Sequence, residues 1–368
     1  MADKVADCMV IGGGLVGLSI AYGVARTGAH TVLVDGDDNA TCASRANFGL
    51  IWVQGKGLGM SGYGLWTARS AKLWPAFAQG LKQDADIDVM LQQPGGYWLG
   101  FDDREVEKRN TALERLKLEA GIPYRMLSGE ELRELMPELG PGVVGGSFSP
   151  LDGHVNPLKL MYALYTAGMK IGVEHVNGSS VVDLEYKGES FFARLRNGRL
   201  LRAKRVVLAA GLGNDKLAPL LGLHAPVQPN RGQVLITERT RPFLSSPTHK
   251  LRQTDEGSIQ LGSTEEDAGF NDDVSSRGMR HLAKRAVETF PMLASLRIVR
   301  AWAGLRIMTP DGFPIYDESA HYPGAFLVTC HSGVTLSAIH ASVLAPWIIG
   351  AAPAPDGIDI FSGKRFIV

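Results

Sequence analysis

Gly12-Gly13-Gly14-Leu15-Val16-Gly17 stands between an apolar run over residues 5–11 and a helical pattern over 15–27. Glycines at the first, third and sixth places of a strand-to-helix turn belong to the first βαβ unit of a doubly wound, dinucleotide-binding sheet. Gly12 permits the tight turn, Gly14 lets the backbone approach a diphosphate, and Gly17 lets helix and strand pack closely. Leu15 and Val16 open a helix whose unpaired N–H groups and positive dipole end favour negative charge. Residues 31–34 read as the next buried strand, and Asp35 at its end is placed to accept hydrogen bonds from a ribose diol.

Glycine accounts for 44 of the 368 residues, well above the usual share of about 7%. That excess fits tight turns and close backbone approaches around a large bound cofactor. Lys+Arg and Asp+Glu each number 38 and the pI is about 7.1, so charge gives no reason to expect nucleic acid or an acidic membrane as partner. A hydrophobic share of 45% and a charged share of 21% exclude disorder, collagen and coiled coil. Cys8, Cys42 and Cys330 lie far apart with no CxxC. This argues against a disulfide framework, a metal site or an iron–sulfur cluster carried by this chain alone, and fits a reducing cytoplasm. No basic-then-apolar leader follows Met1, and no stretch reaches the roughly 18 apolar residues of a membrane span.

Along the chain, residues 36–62 read as Gly- and Asn-rich loop, and 63–82 and 102–120 as helices, with Pro75 expected to kink or split the first. Ser128-Gly129-Glu130-Glu131 is a capping box, and Pro157 begins a helix over 157–169. Strands dominate 171–263, and the tail carries a strand at 325–329 and a helix at 334–349. Tyr63, Trp66, Trp74 and Phe77 are spaced as core residues, and Arg199, Arg202, Lys204 and Arg205 read as a solvated hairpin edge. The nucleotide-binding segments are split between the start, middle and end of the chain. The expected fold is therefore α/β (α+β), a Rossmann-like dinucleotide-binding domain (1–85, 150–222 and 318–368) interleaved with a mostly antiparallel-sheet substrate domain (86–149 and 223–317).

A second strand, 205–211, ends in Ala209-Ala210-Gly211 with Gly213 and Asn214 beyond, small enough to let another backbone pass the same nucleotide. Further segments carry a resemblance. Ala43-Ser44-Arg45-Ala46-Asn47-Phe48-Gly49-Leu50 resembles the Ser-x-x-Asn-x-Gly loop of the D-amino-acid-oxidase-like flavoprotein family. Ala301-Trp302-Ala303-Gly304-Leu305-Arg306 through Thr309-Pro310-Asp311-Gly312-Phe313-Pro314 resembles its Trp-x-Gly-x-Arg…Asp-Gly-x-Pro segment. Cys330-His331-Ser332-Gly333-Val334-Thr335-Leu336-Ser337 is similar to its Gly-His-x-Gly-helix segment, and residues 152–157 and 226–233 also match. The likeness spans essentially the whole chain, and its length is similar to that of the glycine oxidases. Residues 47–57 and 330–335 look most like the smaller FAD-carrying subunits of heteromeric opine oxidases and D-hydroxyproline dehydrogenases.

The resemblance implies FAD, held by Gly12, Gly14, Leu15, Val16, Gly17, Asp35, Ser44, Arg45, Asn47, Gly49, Val181, Ala210, Gly211, Gly304, Arg306, Gly333, Val334, Thr335 and Leu336. It implies a larger partner subunit and a small iron–sulfur subunit, often with FMN at an interface. Arg306 is expected to clamp a substrate carboxylate with its planar fork. Given a neutral substrate amine, Cα–H passes as hydride to flavin N5 and the imine hydrolyses to a 2-oxo acid and an amine, so the protein chiefly supplies position and charge neutralisation. Residues 333–336 would aim N–H groups at the flavin N1/C2 carbonyl. His331 is a candidate for flavin or substrate contact, and Gln54, Lys56 and His249 are candidate pocket residues, with Lys56 facing a second carboxylate. Two departures stand out: Cys330 replaces the usual glycine and reads as a small buried thiol rather than a covalent flavin link, and Tyr316-Asp317 replaces a common Ile-Gly and is expected to alter a loop beside the flavin.

Two other readings stay open: a self-sufficient oxidase of glycine, sarcosine or D-amino acids, and a flavin-bearing electron-relay subunit. The Arg306 clamp argues against the relay. An NAD-dependent dehydrogenase would explain GxGxxG and Asp35 but has no use for the 302–306 and 331–336 segments.

Overall fold

The computed structural model of the chain describes residues 5–36 and 43–367, so Cys42 lies outside it. β1 (Cys8–Ile11), α1 (Leu15–Ala25) and β2 (Thr31–Val34) form the expected unit, with β1 and β2 parallel. Both strands are buried along their whole length, as strands covered on both faces must be. They are the centre of a six-stranded sheet in the order Ile315–Glu318, Ala325–Thr329, Val206–Leu208, β1, β2, Glu174–Val176. Every pair is parallel except the antiparallel edge strand Ile315–Glu318. Strand order reverses between β1 and Val206–Leu208, which opens a crevice at their carboxyl ends.

Ser61–Ala85 is one helix of 25 residues that continues through Pro75, so the helix is not split there. Proline removes a single internal bond, while tertiary bonds hold both halves in place: before it Ser70 Oγ and Trp74 Nε1 donate to Thr335 O at 2.7 and 3.0 Å, and beyond it Tyr22 Oη donates to Asp84 Oδ2 at 2.7 Å. Tyr63, Trp66, Trp74 and Phe77 are all buried core residues. The last helical stretch runs through Gly333–Ile339, a π turn at His340–Leu344 and Ala345–Ile348. It packs so closely on α1 that a Cβ at Gly23 would lie 2.2 Å from Ala341 O.

Two antiparallel sheets form a second body of structure. One has the order Leu251–Gln253, Ser258–Gly262, Gln228–Arg239, Ile298–Met308, and the other Gly96–Gly100, Gly145–Ser149, Arg125–Ser128. They share a core that includes Leu99, Leu127, Leu235, Leu261 and Phe290. The capping box forms, with Ser128 N–H donating to Glu131 Oε2 at 2.8 Å and Glu131 N–H to Ser128 Oγ at 3.2 Å. Along the basic edge strand Leu200–Ala203, Arg199 pairs with Glu174 and Lys204 with Asp7. Among the described residues no helix is long and apolar enough to cross a membrane.

Candidate active site

The turn after β1 leaves no room for side chains. Gly12 has φ 114°, and a Cβ there would lie 2.3 Å from Ala209 O. At Gly17 it would lie 1.8 Å from Gly12 O, and at Gly13 2.4 Å from Asp35 Oδ2. Gly14 faces Ser44, whose Oγ accepts the Leu15 N–H at 2.9 Å. The loop after β2 thus folds back over the start of α1. Asn47 Oδ1 accepts the Gly49 N–H at 2.7 Å, and Ala210 N–H donates to Asn214 Oδ1 at 2.9 Å.

One cavity of about 420 Å³ opens at this turn, and a second of about 420 Å³ opens along residues 43–56. The first is lined by Gly13, Asp35, Arg45, Tyr165, His175 and Asn177. Tyr165 and His175 have ring centroids 4.3 Å apart, and among the described residues neither ring nitrogen of His175 meets a hydrogen-bond partner. Val181 opens the strand Val181–Lys187, and its neighbour Ser180 sits against Gly36 at this end.

The second cavity lies between the two bodies of structure. Arg306 reaches it from the strand opposite Asn230 and lies across Gly232, where a Cβ would meet the guanidinium at 2.5 Å. Its terminal nitrogens already meet four protein oxygens. Nη1 donates to Asn230 Oδ1 at 2.8 Å and Arg231 O at 3.3 Å, and Nη2 to Thr264 O at 2.8 Å and to Ser263 Oγ. Lys250 Nζ donates to Ser263 O at 3.1 Å, on the other side of the same residue. Lys56 enters from the facing loop, and among the described residues its ammonium has no hydrogen-bond or ion-pair partner. Burial lowers its pKa, with Arg306 adding to the effect. His331 is held well below the ordinary histidine value by burial and by Lys56 and Arg306, and its Nδ1 lies 3.3 Å from Ser332 Oγ.

His249 stacks on Trp98 with ring centroids 5.5 Å apart, and the Arg109 guanidinium lies 5.3 Å from the same Trp98 ring. Gln54 is fully engaged. Its Nε2 donates to Gly96 O at 2.9 Å and Asp152 Oδ2 at 2.7 Å, while Oε1 accepts from Arg109 Nη2 at 2.9 Å and Ser147 Oγ at 2.7 Å. Burial pushes Asp152 up to about 7, against the pull of the Val53 and Gln54 N–H donors.

A cavity beyond Asp35, a glycine turn stripped of Cβ atoms and a polar chamber on the far side fit an extended dinucleotide. Residues 7–347 match a family described as FAD dependent oxidoreductase. The chain belongs to this family. It is 44% identical over 363 residues to the B subunit of opine oxidase from Rhizobium meliloti, covering 98% of this chain and 97% of that one. It is 42% identical over 363 residues, with the same coverage, to the B subunit of opine oxidase from Agrobacterium tumefaciens (strain Ach5). Its fold is that of a solved glycine oxidase from Geobacillus kaustophilus, with a TM-score of 0.89, 24% identity and 99% of both chains covered.

In this FAD-dependent oxidoreductase the chamber brings together Asn47, Gln54, Lys56, His249, Gly304, Arg306, His331, Val334 and Thr335 from separate segments. One expected contact changes. Leu336 N–H already donates to Ser332 O at 3.0 Å, so it does not point at a ligand. A Cβ at Gly333 would lie 3.7 Å from Leu15 and 3.8 Å from Val16, so the start of this helix packs beside the glycine turn. Tyr316 and Asp317 lie in the edge strand, not in a loop beside the site, with Tyr316 Oη 2.9 Å from His340 Nε2 and Asp317 accepting from Ser362 and Gly363. Sequence reasoning missed Trp52, Trp98, Arg109, Lys250, Ser263 and Glu265, all of which line the chamber. Only the Gly55 loop pressing on Arg109, where a Cβ would lie 2.7 Å from Nη1, hints at one of them.

Proposed function

We propose that this chain oxidises the C–N bond of a secondary-amine amino acid, of opine or D-hydroxyproline type, as the FAD-carrying subunit of a heteromeric dehydrogenase. The observation that carries the reading is Arg306, set in a chamber where, among the described residues, Lys56, Arg109, Lys250 and Arg306 face a single lining carboxylate, Glu265. Such a site favours an anionic substrate. Similarity to the B subunits of two opine oxidases over 98% of the chain supports the amino-acid class and the heteromeric assembly.

When bound, FAD supplies the two-electron acceptor for the substrate's Cα–N bond. In this reading residues 1–85, 150–222 and 318–368 form the unit that holds it, and residues 86–149 and 223–317 the unit that covers the substrate. Asp35, Arg45 and the backbone at Val181 take the adenosine end. The Gly12–Gly17 turn with Ser44 takes the diphosphate, and Asn47, Gly304, Val334 and Thr335 line the ring end, with Gly49 behind Asn47 closing the loop. Arg306 neutralises the substrate carboxylate through its charge rather than by the expected two-pronged clamp, because its terminal N–H groups already meet four protein oxygens that fix the guanidinium before substrate arrives. His331, held neutral by its surroundings, accepts or donates a hydrogen bond without adding charge. A larger subunit and a small iron–sulfur subunit, with FMN at an interface, complete the electron path in a reducing cytoplasm.

The test is the visible spectrum of the purified chain under anaerobic conditions, with opines, D-hydroxyproline, glycine, sarcosine and D-alanine added in turn before air is admitted. Bleaching by a secondary-amine amino acid with slow recovery in air is expected. Immediate recovery with peroxide would mark a self-sufficient oxidase instead.

A further inference from the structure

Lys56 is built into a place where a protein gains nothing by putting a cation. The residue is half-buried between Gly55 and Gly57, with φ 86° and 90°. Its own N–H donates to Val53 O at 2.9 Å, and a Cβ at Gly57 would lie 2.4 Å from Gly64 N, so the loop is pressed onto the helix behind it. The backbone therefore holds Lys56 rigidly against the chamber, yet among the described residues its ammonium has no hydrogen bond and no ion pair. A half-buried lysine that lines a cavity is commonly paired, and the described residues supply no partner for this one.

The chamber's other cations are already bonded. Arg306 and Lys250 both bond to Ser263 on the sheet wall, one at the hydroxyl and one at the carbonyl. Arg109 is tied to Gln54 and Ser147. Lys56 comes from the loop before Ser61–Ala85 and Arg306 from the sheet, so the cavity has cationic stations on two separate elements. A substrate with one carboxylate satisfies only one of them.

Resting on the oxidation proposed above, we infer that Lys56 is the specificity-determining residue for a second substrate carboxylate. The preferred substrates are then N-(carboxyalkyl) amino acids with a carboxylate on each side of the secondary amine. Arg306 and Lys250 hold one carboxylate, and Lys56 draws the other across the chamber.

The test measures binding rather than turnover. The FAD-loaded protein is titrated with glutarate and with butyrate, which differ by one carboxylate, and flavin absorption and heat are read. One charge-assisted hydrogen bond gives the wild type a preference for glutarate of about ten- to a hundred-fold, and Lys56→Gln reduces it to about threefold or less. Equal binding of both acids by the wild type, or an unchanged ratio in Lys56→Gln, overturns the inference. The thermal midpoint of Lys56→Met is the second readout. It holds when a half-buried lysine without a protein partner is replaced, and a clear fall shows a structural lysine and overturns the assignment. A parallel turnover assay uses iminodiacetate against sarcosine. If neither is oxidised while the glutarate preference depends on Lys56, the proposed reaction falls and the carboxylate station stands.

Discussion

Gln54 Nε2 donates to Asp152 Oδ2 across 2.7 Å, joining residues 98 positions apart in the chain. Asp152 Oδ1 accepts the Val53 N–H at 2.6 Å and the Gln54 N–H at 3.3 Å. The carboxylate thereby fixes which way the Gln54 amide faces, so that its Oε1 meets Arg109 at 2.9 Å at the chamber wall. Burial raises Asp152 from 3.8 to about 7, so the folded chain holds this proton more tightly than the unfolded chain. The group's contribution to stability is then full below pH 3.8 and is lost as pH rises to about 7. Asp152→Asn lacks that slope. Urea unfolding of both proteins from pH 4 to 8 checks it: the stability of the variant relative to the wild type should climb up to about pH 7 and then level off. Parallel profiles would contradict this account.

Gly13 is the second position of the glycine turn, and a Cβ there would sit 2.4 Å from Asp35 Oδ2. Gly13→Ala must push the Asp35 carboxylate aside while the rest of the turn stays intact. Loss of a charged hydrogen bond weakens FAD retention by about ten- to a hundred-fold, measured by flavin-to-protein absorbance after gel filtration and by fluorescence titration. Gly17→Ala differs, because its Cβ would meet the Gly12 backbone oxygen at 1.8 Å. Backbone cannot swing away as a side chain can, so soluble protein is lost. Full flavin content in Gly13→Ala would show that Asp35 relaxes freely.

Cys330 follows the strand Ala325–Thr329, is buried, and has its thiol pushed up to about 12 by burial. Attack on a flavin carbon needs the thiolate, which is scarce at neutral pH for such a thiol. The expected outcome is therefore a flavin bound without a covalent link. Acid precipitation should release all of it to the supernatant, and Cys330→Ser should bind as much FAD as the wild type. A yellow pellet that Cys330→Ser abolishes would reverse the conclusion.

What could be read in the sequence was local. The βαβ unit from Cys8 to Val34 follows from glycine spacing and two apolar runs, because each of its constraints acts within a few residues. The Ser128 capping box and the proline start of Pro157–Lys170 are legible for the same reason. Pro75 misled because the tertiary bonds to Thr335, about 260 positions away, outweigh one lost backbone bond. The Asp152–Gln54–Arg109 chain and the Arg109–Trp98–His249 stack were invisible, since their members come from distant segments whose side-chain directions depend on packing. The bonding of Arg306 was equally hidden: Asn230 reaches it only through the pairing of Gln228–Arg239 with Ile298–Met308.

That pairing makes Arg306 a strict geometric test. An ammonium has the same charge but cannot span Asn230 Oδ1, Thr264 O and Ser263 Oγ while facing a carboxylate, because its donors radiate from one atom rather than a planar fork. Arg306→Lys should therefore raise KM by about ten- to a hundred-fold, with a smaller fall in kcat, because the loss is mainly of carboxylate positioning. It also leaves Asn230 and Thr264 short of a donor, so unfolding stability should drop by about 1–3 kcal/mol. Steady-state kinetics and urea unfolding on the same preparation separate the two effects. A fall in stability with KM unchanged would make Arg306 a brace between two strands and move the carboxylate to Lys250. A KM rise larger for dicarboxylates than for monocarboxylates would place Arg306 and Lys56 at opposite ends of one substrate.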